Sequence, residues 1–94
     1  MQRNYESMIV ISPAISLDAA KAISNEVIEL VKKQGGELVK TDEWGKKTLA
    51  YEIKKNREGY YFINYFTLDP DQISEVDRYY RINENIIRHN LLTK

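Results

Sequence analysis

The stretch Tyr60-Tyr-Phe-Ile-Asn-Tyr-Phe-Thr-Leu-Asp-Pro-Asp-Gln72 decides the fold. Its first nine residues, Tyr60 to Leu68, form the strongest strand pattern in the chain, because aromatic and β-branched side chains suit a pleated, half-buried surface. Tyr60, Phe62, Asn64, Phe66 and Leu68 share one parity; Tyr61, Ile63, Tyr65 and Thr67 share the other. The first set holds both phenylalanines and Leu68, so we assign it to the core. A one-residue slip would exchange the two faces, and either one keeps aromatic and apolar groups. The last four residues then open a helix. Asp69 caps it, Pro70 suits the first helical position, and Gln72 is placed to reach back as in a capping box.

Working toward the N-terminus, Asn56 to Gly59 carries turn chemistry, and Glu37 to about Lys54 reads as a strand broken near Gly45. Together with Tyr60–Leu68 they predict a hairpin. Before it, Ser16 to about Gln34 reads as a helix. Ser16 is the N-cap and Asp18 sits in the first turn, where the helix dipole favours a negative charge. Ala20, Ile23, Val27, Leu30 and Val31 form one apolar stripe, and Gly35-Gly36 is expected to stop the helix through positive φ. Tyr5 to Ile11 is a strand apolar on both parities at its end, as a central strand should be, and Pro13 terminates it. Toward the C-terminus, Ile73, Val76, Tyr79 and Tyr80 line the second helix, which ends near Arg81 to Asn83. Ile86 to Thr93 is the last strand. Its faces stay open between Ile87, His89 and Leu91 on one side and Ile86, Arg88, Asn90 and Leu92 on the other.

The order β-α-β-β-α-β, with right-handed crossovers, interleaves into a four-stranded antiparallel sheet with two helices on one face. This is the α+β, ferredoxin-like sandwich, and 94 residues suit one domain over 1–94. The other sheet face is left open. No run reaches the ~20 apolar residues of a membrane-crossing helix, and no secretory signal is expected.

Several classes of chemistry are excluded. There are no cysteines, hence no disulfide, thiolate nucleophile or thiolate metal site. His89 is the only histidine and is read as structural. No phosphate-binding glycine motif is present. Asp69 and Asp71 are explained by helix capping, and Asp42-Glu43 lacks further ligands, so no metal, cofactor or catalytic residue is expected. A ferredoxin-like enzyme of the acylphosphatase or small-ligand regulatory kind would need an anion cradle after the first strand. Ser12-Pro-Ala-Ile-Ser16 has neither glycine nor arginine there.

Binding chemistry remains. The net charge is zero, with 14 basic and 14 acidic residues, which argues against a free-standing non-specific nucleic-acid binder. The charges nonetheless segregate. Residues 40–57 carry Lys40, Lys46, Lys47, Lys54, Lys55 and Arg57 against three acids, whereas 69–77 hold only acids among their charged residues. Lysines and arginines of this kind contact phosphates, or simply solvate a surface. Tyr61, Ile63 and Tyr65, with Met8 and Val10 beside them, would make an apolar patch for docking a protein, unless lysine stems or a chain end cover it. Glu58-Gly-Tyr-Tyr-Phe-Ile-Asn-Tyr65 also resembles the third-strand signature of the RNA-recognition motif. Glu58 replaces its leading basic residue, however, and the first strand lacks the companion aromatics. A stand-alone module of that type is the alternative reading, and it needs Tyr60 and Phe62 exposed.

Three separated motifs carry a more specific resemblance. Glu43-Trp-Gly-Lys-Lys-Thr-Leu-Ala-Tyr51 followed by Ile53-Lys54-Lys55, Tyr80-Arg-Ile-Asn-Glu-Asn-Ile-Ile-Arg88, and Tyr5-Glu6 with Ile9 to Pro13 together resemble the bacterial small-subunit ribosomal protein S6 family across the chain. Glu52 stands where that family usually has proline. Lys46 and Lys47 often stand as arginines there, and lysine keeps the charge but loses the bidentate fork. The resemblance implies a structural constituent of the small ribosomal subunit, cytoplasmic, that is not an enzyme. It implies binding to small-subunit (16S) ribosomal RNA cooperatively with ribosomal protein S18 during platform assembly, with the basic partner supplying much of the phosphate neutralisation. Carried over by matching position, Arg3, Lys46, Lys47, Lys55, Arg81 and Arg88 are the expected RNA contacts. Arg81 and Arg88 are alternatively contacts to the partner protein, and Met8, Val10, Tyr61, Ile63 and Tyr65 are the expected docking residues.

Overall fold

A computed structural model describes residues 1–93. The elements run β1 (Arg3–Ile11), α1 (Leu17–Lys33), β2 (Glu37–Ile53), β3 (Asn56–Leu68), α2 (Ile73–Ile82) and β4 (Ile86–Thr93), with a 3-10 turn at Pro70–Gln72 before α2. The sheet order is β2-β3-β1-β4, and every neighbouring pair is antiparallel. The fold is therefore the expected α+β, ferredoxin-like sandwich.

The core lies between the sheet and the two helices. Tyr60, Phe62, Phe66 and Leu68 of β3 pack there with Tyr5, Ile9 and Ile11 of β1, the α1 stripe Ala20, Ile23, Val27 and Val31, and Val76 and Tyr80 of α2. The face assignment of β3 is thus as expected. Ser16 Oγ accepts from the backbone N–H of Ala19 at 3.1 Å, which satisfies one orphan donor at the start of α1. Asp69 Oδ1 accepts from the N–H of Asp71 at 2.9 Å and caps the 3-10 turn, while Gln72 makes no side-chain cap bond.

Three local expectations are corrected. First, Asn56–Gly59 is not the hairpin turn. β3 already begins at Asn56, which pairs with Ile53, and Lys54 and Lys55 alone close the hairpin with φ of 48° and 66°. Positive φ at both central residues is the two-residue turn whose twist matches the flanking strands. Second, only Gly35 supplies a left-handed residue after α1, at φ 88°. Gly36 is needed for space, since a Cβ there would strike the Thr67 carbonyl oxygen and Val31. Third, the two open alternatives for β4 are mixed. The β1–β4 register shifts between Val10 and Ile11, so Ile86 lies with His89 and Leu91 toward the helices. Ile87, the residue inserted by the shift, packs on the opposite face with Val10.

Candidate nucleic-acid interface

The β2–β3 hairpin outruns the rest of the sheet. β1 pairs with β3 only from Leu68 back to Tyr60, so everything beyond Tyr60 projects past the end of β1. The tip is folded onto the open face. Leu49 packs with Val10 and Ile87 in a second buried cluster, and Ile53 and Tyr61 lean against it. Burial of each such side chain stabilises by about 1.5–3 kcal/mol, enough to hold a short overhang in place. Gly59 permits the approach, because a Cβ there would collide with Val10. Leu49, Tyr51 and Ile53 alternate with period two, which was the available signal for this apolar face.

The cover corrects part of the expected docking patch. Val10 is fully buried and Ile63 is only 8% exposed, so neither presents a side chain for docking. Met8, Tyr61 and Tyr65 are half-buried and do present one. Two residues join them that sequence reasoning missed: Trp44, 51% exposed, and Leu92, 49% exposed. Trp44 stacks on Tyr61 with centroids 6.1 Å apart and planes 13° from parallel. Gly45, at φ 74°, lies opposite Tyr61 where the β2–β3 register shifts, so the bulge turns the strand beside this stack. Lys40 Nζ lies 5.2 Å from the Tyr65 ring centroid and 3.6 Å from Asp42. Desolvation pushes the Tyr65 hydroxyl pKa up, aided by the hydrogen bond and charge of Glu6 and by the charge of Asp42.

The basic candidates fall into separate groups. Lys46 and Lys47 are exposed on β2 opposite Tyr60 and Gly59, within a strand and not in a loop. Strand alternation sends their side chains to opposite faces. Lys55 sits in the tip turn with Lys54, and Arg57 follows, 3.8 Å from Glu52. Arg88 is exposed on β4, and its Nη1 donates to Tyr51 Oη at 2.9 Å. These six approach the same end of the molecule. Arg81, near the end of α2, pairs with Asp77 at 3.0 Å. Arg3 starts β1 opposite Leu68, eight residues from the tip end of the strand, a distance of roughly 26 Å at 3.3 Å per residue. The expected RNA contacts therefore do not form one cluster. A cavity of about 300 Å³ near Arg3 is lined by Asn4, Tyr5, Val39, Tyr65 and Phe66.

The remaining residues take structural positions. His89 Nε2 lies 3.3 Å from Asp77 Oδ1, and the imidazole centroid is 5.3 Å from that of Tyr80. Among the described residues no group of three or more His, Cys, Asp or Glu side chains is placed to hold a metal, and no helix is long and apolar enough to cross a membrane. The stand-alone RNA-recognition reading fails on accessibility: Tyr60 is 9% and Phe62 0% exposed, so neither ring is open to a base.

Comparison with known proteins agrees with the motifs. The family model described as ribosomal protein S6 matches residues 4–93. The small ribosomal subunit protein bS6 of Desulforamulus reducens is 39% identical over 90 residues, covering 96% of this chain and 95% of that protein. The bS6 of Moorella thermoacetica is 39% identical over 92 residues, covering 98% and 93%. The crystal structure of 30S ribosomal protein S6 from Thermotoga maritima superposes with a TM-score of 0.95 at 30% identity, covering all of this chain and 89% of that one. The C-terminal domain of the MgtC protein from Mycobacterium tuberculosis shares the fold alone, with a TM-score of 0.68 at 5% identity.

Proposed function

The chain belongs to the ribosomal protein S6 family, and from that premise we propose that it binds small-subunit ribosomal RNA cooperatively with ribosomal protein S18, as one domain over residues 1–94. Family membership itself makes it a structural component of the small subunit of the bacterial ribosome, in the cytoplasm, and not an enzyme.

One observation carries the finer reading: a lysine-rich hairpin overhang lies directly beside a half-covered aromatic sheet face. Lysines on a projecting turn reach phosphates without stripping water from a core, at one salt-sensitive contact each. The aromatic face of Trp44, Tyr61, Tyr65 and Met8 supplies what a neutral protein lacks, a place to recruit a basic partner. Aromatic residues and methionine are the side chains enriched at protein interfaces, and Glu6 and Asp42 around Tyr65 outnumber Lys40 there, which leaves this part of the patch with a net negative charge. Lys46, Lys47 and Lys55 are the RNA contacts of this reading. Arg3 is a second, separate contact at the far end of β1, and Arg81 lies in the last turn of α2, on the helix side of the sheet. Docking passes to Met8, Tyr61 and Tyr65, with Val10 and Ile63 supporting them from beneath.

The test is a titration onto a central-domain fragment of small-subunit ribosomal RNA at fixed salt, with and without S18. Tight binding only with both proteins present supports the cooperative role. Equal binding without S18, or none in either case, removes it.

A further inference from the structure

We infer that Arg88 is a positioning residue, which holds the hairpin tip through Tyr51 and so sets where Lys54 and Lys55 point, without itself touching RNA. The inference rests on the reading of the tip as an RNA contact.

The tip needs an external constraint. Among the described residues no third strand flanks the hairpin beyond Tyr60, and the β2–β3 register shifts between Thr48 and Ile53. The directions of Lys54 and Lys55 follow from their left-handed backbone, at φ 48° and 66°, and from how the whole tip is tilted over the sheet. Leu49 and Ile53 press the underside of the tip onto Val10, Ile87 and Tyr61. That contact is apolar and non-directional, so it sets the distance of the tip from the sheet but not its rotation.

The directional element is the Tyr51–Arg88 pair. Tyr51 is 62% exposed, so burial does not fix its ring. Arg88 Nη1 donates to its hydroxyl at 2.9 Å while the guanidinium carbon lies 5.9 Å from the ring centroid. A planar guanidinium satisfies both contacts at once; a lysine ammonium is a compact point charge that does not. Arg88 is itself firmly rooted. It follows the buried bulge residue Ile87 and pairs across from the fully buried Val10. The tip is thereby tied to β4, two strands away from its own hairpin.

Five N–H donors leave a guanidinium free to contact a phosphate as well, so the two roles are separated by salt dependence. Wild type, Tyr51→Phe, Arg88→Met and the double variant are titrated onto the central-domain RNA fragment with S18 across a salt series. Backbone ¹⁵N order parameters of residues 51–56 are measured on the same proteins without RNA. We expect each single variant to bind roughly threefold more weakly, in keeping with the loss of one exposed hydrogen bond. The double variant is no weaker than either single one, Arg88→Lys does not restore affinity, and the slope of log affinity against log salt is unchanged. Order parameters in the tip fall from about 0.85 toward 0.6 in each variant. The inference is overturned if Arg88→Met lowers the slope by one contact, roughly 0.7–0.9, while Tyr51→Phe binds as wild type. It is equally overturned if tip order is unchanged in both. Absence of RNA binding by wild type would remove the proposed function, and the positioning role would then stand or fall on tip order alone.

Discussion

Ser7 and Tyr80 share a hydroxyl–hydroxyl hydrogen bond inside the core, joining the middle of β1 to α2 across 73 positions of sequence. Ser7 is completely buried and Tyr80 is 1% exposed, so neither group has water as an alternative. Tyr80→Phe leaves the Ser7 hydroxyl without this partner and is expected to cost about 1–3 kcal/mol of unfolding free energy in urea. Adding Ser7→Ala to it should cost less than the sum of the two single changes, because the orphaned group is then gone.

The same residue predicts an alkaline limit. Burial pushes the Tyr80 hydroxyl pKa well above the ordinary tyrosine value of 10.0. Tyr79 is raised to about 12, by desolvation first and then by its hydrogen bond to Glu26 at 2.5 Å. A raised folded-state pKa contributes stability that is complete below pH 10 and is lost as pH rises toward the folded value. Urea unfolding between pH 8 and 12 should therefore show a decline beginning near pH 10, shallower in Tyr80→Phe than in wild type. An identical slope in that variant would contradict the assignment.

Lys54 and Lys55 both occupy the left-handed region, which costs a side-chain-bearing residue about 1 kcal/mol or more. Lys54→Asn with Lys55→Gly places the preferred residues in the same turn. Thermal unfolding should show a stabilisation of about 1 kcal/mol, while RNA affinity falls. A gain in both would mean the lysines are not contacts.

Gly59→Ala is expected to destabilise by about 1–3 kcal/mol, since the added methyl collides with Val10 and must lift β3 or displace the buried cluster. The diagnostic is Trp44 fluorescence, which should report a loosened tip before global unfolding.

Ser24 lies on the buried side of α1, 3% exposed, and its hydroxyl has no hydrogen-bond partner among the described residues. Ser24→Ala removes that hydroxyl and improves helix propensity, so it should stabilise by about 0.5–1 kcal/mol in urea unfolding.

The parts of this molecule legible from sequence were those governed by short-range periodicity. The aromatic alternation of β3, the α1 stripe and the Asp69 cap each follow from neighbours a few residues apart; the first two hold, and the cap forms on the 3-10 turn that leads into α2 instead of on α2 itself. The motifs likewise placed the chain in its family. What escaped depended on register between distant segments. A single bulge opposite Val10 and Ile11 sends Ile86 and Ile87 to opposite faces, and no local pattern announces it. Val10 reads as exposed until the tip of a strand about forty residues later folds over it. Lys54-Lys55 has none of the usual composition of a tight turn, so the turn was expected at Asn56–Gly59, where the glycine in fact serves a close contact. The site was legible as residue types and not as geometry: Arg3 and Lys55 share the chemistry of a phosphate contact but stand at opposite ends of the sheet.

The irregularity of β2 has a consequence for how this chain behaves in a crowded cell. β2 is an edge strand, seventeen residues long, with one side of its backbone unpaired. Such an edge would ordinarily invite strands of other molecules to add to the sheet and seed aggregates. Three register shifts along its length, with Gly45 twisting the middle one, break the regular spacing of free amide and carbonyl groups that an incoming strand would need. A straightened β2 would offer its free edge in the regular spacing that strangers can pair with.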